Sequence, residues 1–132
     1  MQGRPVILVV DDEESVRMLL STLLERSAYT VLLATDGQHA LEVARTYPGE
    51  ISGLVTDYRM PKMDGLQVAK TLVAERPNLR VLLMSGRMSN PEELYQCGFP
   101  MLPKPFTITG FLTNLKRCLE GPVPQPRKPP GT

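Results

Sequence analysis

The sequence predicts an α/β fold, a parallel five-stranded sheet with helices on both faces. Two observations carry that prediction. Short continuous apolar runs rich in β-branched residues recur along the chain, which is the pattern of strands buried on both faces. Between them lie segments whose apolar residues repeat at helical spacing, and strict βα alternation implies parallel strands joined by crossover helices. The 132 residues suit one domain large enough to bury a core without disulfide or metal staples.

The elements follow in order. Val6 to Val10 is the first strand, and Val16, Leu19, Leu20, Leu23 and Leu24 then mark a helix that Glu14 or Ser15 can cap. Thr30 to Ala34 is the second strand, closed by Asp36-Gly37. The second helix runs over 39–47 with Ala40, Leu41, Val43 and Ala44 inward, and Pro48-Gly49 ends it. A third strand is expected over 51–56 and a third helix over 66–76, built on Leu66, Ala69, Leu72 and Val73. Residues 79–84 form the fourth strand. Only a turn or two of helix is expected over 91–96, then a short fifth strand at Met101-Leu102. Thr107 can cap a last helix carrying Ile108, Phe111, Leu112, Leu115 and Leu119, stopped by Gly121-Pro122. The domain therefore spans 1–121. Residues 122–132, rich in proline and without apolar periodicity, read as a disordered tail or linker.

Composition narrows the function. Fifteen basic residues balance fourteen acidic ones, so no global field points to nucleic acid or a membrane surface. No apolar stretch is long enough to span a bilayer, and no secretory signal is visible. Cys97 and Cys118 lack metal-ligand spacing and read as free thiols in a reducing, cytoplasmic setting.

The chemistry sits where the strands end. Asp11-Asp12 follows the first strand, Asp57 the third, Ser85 the fourth and Lys104 the fifth. In an open parallel sheet, ligands bind beyond the carboxyl ends of the strands, so these residues should converge on one crevice. Three crowded carboxylates repel one another unless a cation enters. A hard cation such as Mg2+ suits them, whereas zinc does not, because no Cys or His joins the set. A lysine that attracts an anion beside acids that need a metal describes a phosphoryl-transfer site, with a carboxylate as acceptor.

Four ordered motifs then become recognisable: Val9-Val10-Asp11-Asp12-Glu13, the run from Asp57 through Met60-Pro61 to Met63-Asp64-Gly65, Met84-Ser85-Gly86 and Lys104-Pro105-Phe106. Over roughly residues 5–120 the chain resembles the response-regulator receiver family of two-component signalling. The resemblance implies a single flavodoxin-like (βα)5 domain of strand order 2-1-3-4-5. It implies phosphorylation of Asp57. It also implies Mg2+ held by Asp12, Asp57 and the backbone carbonyl of Arg59, with Asp11 acting mainly through water. Ser85 and Lys104 would engage the phosphoryl group, and the Lys104–Pro105 peptide would be cis. The implied donor is a sensor histidine kinase or a histidine phosphotransfer protein. The implied response is a shift of the face made by the fourth helix, fifth strand and last helix, read by a phosphorylation-dependent dimer or a downstream output protein. On this reading the chain is not an enzyme. It is a bacterial, cytoplasmic phosphoacceptor, either a single-domain regulator or a receiver cut from a longer protein.

The sequence departs from the family in two places. Met101 stands where an aromatic is usual, and the stretch between Ser85 and Lys104 is short, so the fourth helix is expected to be curtailed. Arg59 and Arg87 flank the site, either tuning access to it or merely solvated. Glu13 and Glu14 read as a solvated helix start, His39 as surface, and Met60 and Met63 as loop packing. A haloacid-dehalogenase-like phosphohydrolase would need an acid two residues after its nucleophile, where Arg59 stands. A flavodoxin-like cofactor binder would need a phosphate cradle where Asp11-Asp12 stand. The third competing reading, a docking module that has lost phosphorylation, conflicts with the complete acid–Ser–Lys set.

Overall fold

The computed structural model describes residues 3–86 and 98–121. Five parallel strands, β1 (Val6–Val10), β2 (Thr30–Ala34), β3 (Gly53–Asp57), β4 (Arg80–Ser85) and β5 (Met101–Pro103), form one sheet in the order β2-β1-β3-β4-β5. The helices are α1 (Glu14–Arg26), α2 (Gly37–Thr46), α3 (Gly65–Glu75) and α4 (Ile108–Glu120). The expected fold class and strand order are observed. The helix expected over 91–96, the proline-rich tail, Arg87 and Cys97 lie outside the described residues.

Alternation along the central strand builds two cores. Val6, Leu8 and Val10 of β1 face Ala40, Leu41 and Ala44 of α2 and Val68, Ala69 and Leu72 of α3. Ile7 and Val9 face the opposite way, onto Leu20 and Leu24 of α1 and Phe111, Leu115 and Cys118 of α4. Among the described residues each face of the sheet is thus covered by two helices, which is why the central strands read as unbroken apolar runs.

Local chemistry sets the ends, and there the expectations need adjustment. The second helix begins at Gly37, two residues earlier than expected, because Asp36 caps it by accepting from the His39 N–H at 2.8 Å. His39 lies half-buried at the surface, where its Nδ1 accepts from the Thr35 N–H at 3.1 Å. The third helix starts at Gly65 through a capping box between Asp64 and Gln67. Thr107 caps α4 as expected. Neither Glu14 nor Ser15 caps α1; the N-cap is Glu13, with no side-chain bond. Leu19 and Ile108 were expected inward, yet they are 50% and 53% exposed, because the stripes actually buried centre on Leu20–Leu24 and Phe111–Leu115. Ile51 is buried but precedes β3, and that strand runs one residue further than expected, to Asp57 itself.

Candidate functional site

Parallel register carries the predicted residues to one level. Val10 pairs with Thr56, which sets Asp11 beside Asp57. Asp57 pairs with Met84, placing Ser85 one step beyond, and Ser85 pairs with Pro103, placing Lys104 one step beyond that. The strand order reverses between β1 and β3, so the crevice opens between the two strands that carry the acids.

The side chains meet there. Carboxylate oxygens of Asp11, Asp12 and Asp57 lie within 4.8 Å of one another. The Lys104 Nζ stands 3.3 Å from Asp57 Oδ2 and 3.6 Å from Asp11 Oδ2. Asp11 is fully buried and Asp57 nearly so, while Asp12 is exposed at the mouth. Ser85 is buried at the end of β4, and its carbonyl accepts from the Lys104 N–H at 2.7 Å, tying the two strand ends together. The peptide between Lys104 and Pro105 is cis, as expected. Arg59, in the loop after β3, has an exposed side chain.

Electrostatics follow from this crowding. Burial pushes the Asp11 carboxyl above the usual range; the Asp57 and Asp12 charges add to the shift, against the Glu13 N–H and Lys104. Burial also raises Asp57, with Asp12 adding, while Lys104 and the Arg59 backbone N–H oppose it. Burial works against the Lys104 ammonium, but Asp57 and Asp11 outweigh it and hold its pKa above the ordinary value. Two buried acids thus share one lysine, with a third acid beside them.

A divalent cation fits this donor set. Asp11 Oδ2 is buried and has no hydrogen-bond partner among protein groups. A buried carboxylate oxygen left that way is costly unless an ion or water meets it. The oxygens are hard donors with no sulfur or imidazole among them, which favours Mg2+ over zinc.

Two further contacts escaped the sequence reading. The Arg17 Nη1 donates to the Asp11 main-chain oxygen at 2.7 Å. Gly65 closes the loop after Asp57 by donating its N–H to the Tyr58 carbonyl at 2.8 Å. The available signal for Arg17 was a lone charge on the buried stripe of α1, three residues before Leu20 and seven before Leu24. Met101 is half-buried against the α2–α3 side of the core, and Phe99 is buried in that same core.

Comparison with known proteins agrees with the geometry. The model of the response regulator receiver domain matches residues 7–116. The response regulator MprA of Mycobacterium leprae is 38% identical over 122 residues, covering 89% of this chain and 52% of that protein. The sensor kinase CckA of Brucella abortus is 32% identical over 126 residues, covering 91% of this chain and 13% of that protein. The chain therefore spans only a part, about half or less, of these relatives. Among solved structures, the chemotaxis protein CheY4 of Vibrio cholerae superimposes with a TM-score of 0.79 at 26% identity, over 88% of this chain and 99% of that one. The non-phosphorylated HemR receiver domain of Leptospira biflexa gives 0.78 at 28% identity, over 92% and 99%.

Proposed function

The chain belongs to the response regulator receiver family of two-component systems, and from that premise we propose that it is a phosphorylation switch whose acceptor is Asp57. One observation carries the proposal above the others: three carboxylates bring oxygens within 4.8 Å of one another, Asp11 Oδ2 is buried without a hydrogen bond, and a single lysine faces the group.

The phosphoryl donor is a phosphohistidine of a sensor histidine kinase or a histidine phosphotransfer protein. An Asp57 carboxylate oxygen attacks phosphorus, the P–O bond forms as the P–N bond breaks, and the departing imidazole takes up a proton. Asp11, Asp12, Asp57 and the Arg59 carbonyl would hold Mg2+, which when bound neutralises charge on the phosphoryl oxygens. Lys104 starts the reaction paired with Asp57 and Asp11. Once Asp57 becomes an acyl phosphate, its carboxylate charge moves outward onto the phosphoryl oxygens, and the Lys104 ammonium follows it. The Ser85 hydroxyl donates to the same group from the adjacent strand end. Because Lys104 and Ser85 sit at the ends of β5 and β4, their movement shifts the surface of β5 and α4 that partners read. The setting is the cytoplasm, where the donor kinases act. The domain assists its own phosphorylation and dephosphorylation, with no separate substrate.

The test is incubation with Mg2+ and acetyl phosphate, followed by intact mass. A hydroxylamine-sensitive phosphoryl adduct is expected on the wild type and none on Asp57→Ala. Asp12→Ala should slow labelling by about tenfold or more, as loss of a metal ligand does. Normal labelling of Asp57→Ala would overturn the assignment, and sustained turnover of a simple phosphate ester would favour a hydrolase instead.

A further inference from the structure

The peptide that joins Asp11 to Asp12 is held from an unexpected side. Its carbonyl accepts from Arg17, six residues on, at 2.7 Å. Arg17 is half-buried, and among the described residues the ion pairs are those of Arg45 with Glu75 and of Lys104 with Asp11 and Asp57, so Arg17 forms none. The Arg17 side chain has the Asp11 carbonyl as its hydrogen-bond partner, and a charged donor makes the stronger kind of hydrogen bond.

The turn it braces is otherwise tied through Asp11 and Glu13, the Asp11 N–H donating to the Ala34 carbonyl at 3.3 Å. Glu13 is the N-cap of α1 and makes no side-chain cap bond. The Glu13 N–H is met instead by Asp11 Oδ1 at 2.9 Å. One Asp11 oxygen thus supports the helix start while the other, Oδ2, is left without a hydrogen bond and faces Lys104. The Arg17 bond restrains the main chain between the two aspartates, from which both carboxylate side chains project.

We propose that Arg17 is a positioning residue for the cation site: its bond to the Asp11–Asp12 peptide holds the two carboxylates at the spacing that admits Mg2+. The inference deepens the proposed function and rests on its metal assignment. It also runs against simple electrostatics. A guanidinium beside a cation site repels the incoming ion, so charge alone predicts tighter binding once Arg17 is removed, whereas positioning predicts weaker binding.

The experiment is calorimetric titration of the full chain with Mg2+ alone. Arg17→Met, which keeps the apolar stem and loses the donors, is expected to bind Mg2+ about tenfold more weakly, the usual effect of removing a group that orients a metal's ligands. Arg17→Lys should recover most of that loss. Arg17→Gln, polar but too short to reach the carbonyl, carries the same expectation as the methionine variant and keeps the test decisive where the latter does not fold. In an Asp12→Asn background the Arg17→Met effect should shrink to within about twofold, as coupled sites require and general loosening of the fold does not. Wild-type or tighter affinity in Arg17→Met or Arg17→Gln would overturn the inference. No binding by the wild-type chain would overturn the metal assignment itself, and this inference with it.

Discussion

At the scale of single residues, the site depends on atoms that carry no charge. A Cβ on Gly65 would lie 2.2 Å from the Asp57 carbonyl oxygen and 3.1 Å from the Tyr58 Cα, so α3 presses directly on the end of β3. Gly65→Ala must push backbone against backbone. A loss of about 1–3 kcal/mol is expected in urea unfolding, as for other overpacked sites, together with slower acetyl phosphate labelling of Asp57. Unchanged stability and labelling would show that the loop yields freely. Cys118 illustrates the opposite case, a reactive group made inert. Its Sγ donates to the Val81 carbonyl at 3.3 Å, and burial pushes the thiol up to about 11 from 9.0. Because the folded value is the higher one, the unfolded chain ionises first. This contribution to stability is complete below pH 9.0 and is lost as pH rises through about 11. Comparing unfolding of the wild type and Cys118→Ala across that window isolates it, and parallel curves would refute it. The residues of the site were legible because charges at the ends of apolar strands stand out in a sequence. Arg17 was not, because its partner is a backbone carbonyl, which no sequence displays.

At the scale of elements, the strands were read closely because burial on both faces leaves an unbroken apolar signature. The start of α4 was legible because Thr107 caps it, whereas Asp36, which caps α2, reads in the sequence as the close of the second strand. The start of α1 was not legible either, since its first turn is secured by Asp11 from the preceding strand. Helix ends rely on long-range clamps in the same way. The Arg76 guanidinium, at the end of α3, donates to the carbonyls of Ala44, Tyr47 and Gly49 at 2.8, 3.1 and 2.9 Å, closing the C-terminus of α2. The carbonyls of Ala44 in the last turn, Tyr47 at the C-cap and Gly49 just beyond would otherwise face water or nothing. Arg76→Ala should therefore cost about 1.5–3 kcal/mol, as for hydrogen bonds from a charged donor. Amide exchange ought to speed up at the end of α2 before it does elsewhere. The neighbouring Arg45–Glu75 pair is a useful control, since both side chains are well exposed and surface pairs contribute little. Equal effects of the two arginine substitutions would argue against the clamp.

At the scale of the whole molecule, the five βα units imply a parallel sheet, but strand order had to come from the family resemblance. Apolar runs buried on both faces do not reveal their neighbours. The order matters because it puts two acidic strand ends side by side, and that arrangement should cost stability when no cation is present. Asp11 is fully buried with one oxygen unsatisfied, and Lys104 must serve Asp57 as well. Asp11→Asn removes the buried charge, keeps an oxygen for the Glu13 N–H, and turns a repulsive neighbour into a donor for the remaining carboxylates. In EDTA the variant should melt a few degrees higher than the wild type, about what 1 kcal/mol produces in a domain of this size. Mg2+ at ten times its dissociation constant stabilises the wild type by about 1.4 kcal/mol and should do little for the variant. The order of the two melting temperatures therefore narrows or inverts as metal is added. A wild type more stable than Asp11→Asn in EDTA would mean that the acids are already satisfied without a cation, and the physical case for a metal-dependent switch would lose its foundation.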